Sequence, residues 1–226
     1  MRKLHVALLI LFLLGLPAWA GMVAISVDTP GGIGTAGLVD STDALAVAWY
    51  QPTALSSVDV FINFQNTPLG ANNTYSAYLT NSIGTGTSQA GNEIAFNPAF
   101  SGPDQPGWVQ VFSNLTLGPS LAYYLIIGTS DLDSYGGWSY PDGPAVVTTN
   151  FGITRGDGSG VQYWVSGSDI DPFYLPASNF SPLDAAGAAD SGDLLFQVTV
   201  PEPSTLWLLA AGGLCLLWWR RRTATA

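Results

Sequence analysis

Val58-Asp59-Val60-Phe61-Ile62-Asn63-Phe64 decides the fold class. Val58, Val60, Ile62 and Phe64 fall on alternate positions, so an extended backbone places them on one face, with Asp59, Phe61 and Asn63 on the other. A helix would scatter the same residues around its circumference. The period of two is that of a strand with one face on a core.

Working outward, the same kind of stretch recurs. Val23 to Val27, Ala44 to Tyr50, Tyr75 to Thr80, Trp108 to Phe112, Leu121 to Thr129, Val146 to Phe151, Val161 to Val165 and Leu194 to Val200 are rich in β-branched and aromatic residues. Clusters of Gly, Pro, Asn and Asp separate them. No segment between residues 21 and 199 offers a capped run of helical periodicity. The pattern predicts an all-β domain over 21–199, an antiparallel β-sandwich of jelly-roll type built from about eight to ten short strands.

Both ends differ from this domain. Arg2-Lys3, the apolar run Leu4 to Leu14, Pro17 and the small residues Ala18 and Ala20 predict a secretory signal peptide over 1–20, cleaved after Ala20. At the other end, residues 200–226 fall into three parts. Val200-Pro201-Glu202-Pro203-Ser204-Thr205 is held extended by two prolines, which lack an N–H and fix φ. Leu206 to Trp219 carries no charge and predicts one short transmembrane helix. As a helix it rises about 21 Å, against a bilayer core of roughly 30 Å, so local thinning must make up the difference. Trp207 and Trp218-Trp219 sit where interfacial aromatic residues belong. The tail 220–226 opens with Arg220-Arg221-Arg222, which orients the segment with this end on the cytoplasmic side.

Pro201-Glu202-Pro203, the adjacent Ser204-Thr205, the apolar run with Gly212-Gly213 and the terminal arginines together resemble the sorting signal of PEP-CTERM proteins. The resemblance implies that an exosortase, a membrane-embedded cysteine transpeptidase, reads Pro201, Glu202 and Pro203. It further implies an inner-membrane anchor that is transient, followed by passage to the cell surface or the extracellular matrix of a bacterium. More loosely, Val58 to Phe64, Trp108 to Leu117, Tyr123 to Ile127 and Gly136-Gly137-Trp138 are similar to the choice-of-anchor surface domains that accompany such signals.

Charge and residue usage then exclude whole classes of function. Of six basic residues only Arg155 lies between Lys3 and Arg220, while all sixteen acidic residues lie between Asp28 and Glu202. The span Gly21–Thr205 therefore holds one basic and sixteen acidic residues, a net charge of −15. Such a surface repels phosphate backbones, so no nucleic-acid partner is expected. The only histidine is His5 and the only cysteine Cys215, both in the apolar ends. The exported domain therefore cannot assemble a Ser-His-Asp triad, a Cys-His pair or the usual zinc site. The expectation is a protein that is not an enzyme and needs no cofactor.

Two binding chemistries stay open. Asp131 with Asp133, and Asp169 with Asp171, place paired carboxylates in Gly- and Ser-rich loops, a ligand type that suits structural calcium. Trp138, Tyr140, Tyr163 and Trp164 lie near Gly- and Asp-rich turns and would form a sugar-binding platform if their rings were exposed together. A carbohydrate-binding module is thus the alternative to a sorted surface protein, and exopolysaccharide the matrix partner that both readings admit.

Overall fold

The computed structural model describes residues 21–67, 73–84, 89–159, 161–166, 180–182 and 193–201. The expected signal peptide with Ala18 and Ala20, the apolar segment 206–219, Arg220 to Arg222, Glu202, Pro203, Asp169 and Asp171 lie outside them. Among the described residues no helix is long and apolar enough to cross a membrane. Val23–Val200 forms one compact unit.

The unit is all-β, with fourteen strands and one helical turn among the described residues. In chain order these are β1 (Met22–Asp28), β2 (Ile33–Val39), β3 (Asp43–Gln51), β4 (Leu55–Asn66), β5 (Tyr75–Thr80), α1 (Gln89–Asn92), β6 (Glu93–Phe100) and β7 (Gly107–Leu117). They continue with β8 (Leu121–Gly128), β9 (Gly136–Pro141), β10 (Val146–Thr149), β11 (Thr154–Arg155), β12 (Gln162–Ser166), β13 (Phe180–Pro182) and β14 (Phe196–Val200). Two seven-stranded sheets result. The first runs β10-β1-β14-β4-β9-β2 with β7 on β4; the second runs β13-β12-β3-β8-β5-β6 with β11 on β3. The described registers are antiparallel, as in Val60 opposite Val198 and Trp49 opposite Tyr123.

The alternation in β4 is realised as expected. Val58, Val60, Ile62 and Phe64 are fully buried, while Asp59 and Phe61 are half-buried on the opposite face. Asn63 departs from the pattern: it is also buried, where β14 and β9 meet along the edge of β4.

Rings from the two sheets join in the core. Trp49 of β3 stacks on Tyr123 of β8 at 5.7 Å and on Phe196 of β14, across the sandwich, at 5.9 Å. Phe64 of β4 meets Tyr75 of β5 edge-on at 4.7 Å. Each such pair adds about 0.5–1.5 kcal/mol beyond the area it buries. Behind the second sheet lies another apolar layer. Ala46 and Ala48 of β3 stand opposite Tyr163 and Tyr124, and their small side chains leave room for the rings.

The fourteen strands exceed the expected eight to ten because five went unforeseen: the short β11 and β13, and β2, β6 and β9, which use residues that read as breakers. β9 opens with Gly136, where a Cβ would lie 2.5 Å from Phe64 Cζ and 2.7 Å from Tyr75 Cε1. In β2, a Cβ on Gly37 would lie 2.6 Å from Leu45 Cδ1. Both glycines make room for the core rather than for a turn. β6 contains Pro98, which is tolerated because β6 is an edge strand.

Burial pushes the Tyr75 hydroxyl from 10.0 up to about 12, and that hydroxyl donates to Tyr135 O at 2.6 Å. Between these values an unfolded tyrosine has released its proton and the folded one has not, so stability falls as pH rises through the window. The loss is about 1.4 kcal/mol per pH unit for this group. Tyr75→Phe is expected to flatten the alkaline fall in stability, read from denaturant midpoints at intervals between about pH 9 and 12. An unchanged slope would contradict the assignment. Tyr123, Tyr124 and Tyr140 are raised by burial as well, so part of the slope should persist.

Candidate functional site

The segment 193–201 joins the folded domain to the proline motif, and five strands hold it. β14 lies between β1 and β4 rather than at an edge. Phe196, Val198 and Val200 turn inward and are buried, with Gln197 and Thr199 on the other face. Just before the strand, Leu195 accepts at its carbonyl from the Asn63 amide at 3.0 Å and from Trp138 Nε1 at 2.8 Å. Its own amide donates to Ser139 O at 3.0 Å. Leu194 N–H donates to Gln162 Oε1 at 2.7 Å.

Asp193 completes the arrangement. Arg155 grips it through both terminal nitrogens, Nη2 reaching Oδ1 and Nη1 reaching Oδ2 at 3.2 Å. Gln162 Nε2 adds a contact to Asp193 Oδ1 at 3.3 Å. A bidentate guanidinium–carboxylate pair fixes direction as well as distance. Arg155 and Asp193 were not singled out from the sequence. The signal was there: a lone cation inside an acidic domain has a particular carboxylate to hold.

Pro201 lies outside the strand and is exposed. It has no N–H to continue a ladder, so the sheet ends where the motif Pro201-Glu202-Pro203 begins. The domain thus keeps its last strand while leaving the motif's first residue open to solvent.

The four aromatic residues expected to form a platform do not share a surface. Trp138 is wholly buried in β9 with its Nε1 committed to Leu195 O, so it offers no ring face to a sugar. Tyr163 is buried in the layer behind the second sheet. Trp164 is its neighbour on β12 and points to the opposite face, half-buried, with Nε1 donating to Asp43 Oδ1 at 3.0 Å. Tyr140 is half-buried near Gly37. The expectation of joint exposure fails because these rings supply the bulk that a disulfide-free sandwich needs inside.

Asp131 is engaged with its own loop, and Asp157 with its loop and with Tyr124 of β8. Asp131 Oδ1 accepts from the Asp133 amide at 3.0 Å and Oδ2 from Ser134 Oγ at 3.1 Å, a local turn structure. Asp157 accepts from the Ser159 amide at 2.7 Å and from the Tyr124 hydroxyl at 2.6 Å. That contact and, first, burial hold the Tyr124 hydroxyl well above its ordinary pKa. Among the described residues no three of His, Cys, Asp and Glu gather in a group that could hold a metal ion.

The family model described as the PEP-CTERM protein-sorting motif matches residues 199–222. The chain carries a PEP-CTERM sorting motif. The match opens at Thr199, inside β14, and runs through Pro201-Glu202-Pro203 and the apolar segment to Arg222. A PEP-CTERM motif implies export, a transient membrane anchor and processing by an exosortase. No curated protein and no solved structure matches the chain.

Proposed function

We propose that this is a non-enzymatic surface or matrix protein, released from a temporary inner-membrane anchor by exosortase processing at or beside Pro201 to Ser204. The observation that carries this reading is the junction at Val200. A buried, centrally placed strand stops at Val200, and the Pro201-Glu202-Pro203 part of the sorting motif starts at the next residue. A cut beyond Val200 would leave every contact of Asp193 to Val200 in place, so the released domain would remain folded.

The roles within the motif follow from residue type. Pro201 and Pro203 keep the peptide extended for reading, Glu202 supplies a charge, and Arg220 to Arg222 hold the segment in register from the cytoplasmic side. The mature domain, strongly acidic and without His or Cys, acts as a building or adhesive element, with exopolysaccharide as its companion in the matrix.

Mass spectrometry of the protein from its native host tests the reading. A new C-terminus at or next to Pro201 to Ser204 on surface material is the expected result. Surface protein still ending at Ala226 would refute it.

A further inference from the structure

We infer that the free edge of β10 is a strand-addition site for an extended, basic segment of another protein. Val146, Val147, Thr148 and Thr149 are all exposed, all β-branched and all uncharged. Among the described residues β10 pairs only with β1, in unbroken register from Ile25 opposite Thr149 to Asp28 opposite Val146. The Asn150 amide donates to Ala24 O at 2.8 Å. By antiparallel alternation Val146 and Thr148 also face β1, and the N–H and C=O groups of Val147 and Thr149 point away from the sheet.

Three of the other described edges, those of β6, β2 and β13, are guarded. β6 carries Pro98 and register shifts and lies against β7, with Asn97 Nδ2 donating to Val111 O at 3.0 Å. β2 is interrupted by a shift between Ile33 and Ala36, and β13 ends in Pro182 after three residues. Proline, bulges and covering are the usual means of blunting an edge, and among the described residues β10 has none of them.

Charge selects the occupant. Asp28 lies opposite Val146, Asp142 precedes the strand, and the span Gly21–Thr205 carries −15. A second copy would set like charge against like. A strand this short also falls far below the roughly 1,200 Å² that a stable dimer buries. An added peptide needs only the backbone ladder and β-branched cross-strand neighbours, and basic flanks would draw it to this surface.

The test uses the full chain in mild detergent and a labelled Lys-Lys-Thr-Val-Thr-Val-Lys-Lys peptide, followed by fluorescence anisotropy. The peptide is expected to bind at low salt at least about tenfold more tightly than its Glu-flanked counterpart. Val147→Pro removes an outward N–H and leaves the β1 ladder intact, and it should weaken binding about tenfold. Val147→Lys, which keeps the backbone donor and adds a guarding charge, should weaken binding severalfold. Near-UV circular dichroism reports on the tryptophan core, and either variant with an unchanged spectrum suffices. Equal affinity for both peptides, undiminished binding by a folded variant, or self-association that Val147→Lys abolishes would each overturn the inference.

Discussion

Phe196→Ala is expected to destabilise the domain by about 3–5 kcal/mol, the range for removing a buried phenylalanine. Phe196 is 1 % exposed and reaches across the sandwich to stack on Trp49. Truncation would leave a cavity at the centre of a sheet whose neighbouring strands, β1 and β4, are already fixed. Domains of this size are stable by only about 5–15 kcal/mol in all, so the variant should lose a large part of its stability. Urea unfolding followed by tryptophan fluorescence measures the change. Phe196→Leu, which keeps most of the volume, should cost less than half as much. Equal effects from both variants would mean that the ring does not fill the space assigned to it.

The second large effect is expected from replacing Arg220, Arg221 and Arg222 together with glutamine. Each basic residue beside an anionic cytoplasmic leaflet contributes about 1 kcal/mol, so the three together bias orientation by about 3 kcal/mol, or roughly a hundredfold. With that bias removed, the unprocessed form should accumulate and the surface form should fall to a small fraction of wild type. Immunoblots of membrane and surface fractions measure the ratio. Undiminished maturation would show that the arginines do not hold the motif in register.

Much of the fold was legible because its long strands announce themselves. β4 showed a period of two, and β3, β5 and β8 showed runs of apolar or β-branched residues; the structure contains all four. β2, β6 and β9 were illegible for a shared reason. Their glycines and proline obey tertiary demands, such as the space that Phe64 and Tyr75 require over Gly136, and local rules read them as turns. The candidate site divided along the same line. Pro201-Glu202-Pro203 could be read because the residue types and their order are what the family model matches. Whether Trp138 faces solvent or core could not, since that depends on which strand lies beside it and on the carbonyl of Leu195 being within reach.

The place of β14 bears on how the chain crosses a membrane. Its slot between β1 and β4 stays empty until the last part of the domain has been delivered. Until then Trp138 lacks its acceptor, Arg155 its carboxylate and Trp49 one of its stacking partners. The core therefore cannot be completed while these partners are missing. Closure of the sandwich waits on the residues that directly precede the Pro201-Glu202-Pro203 part of the sorting motif.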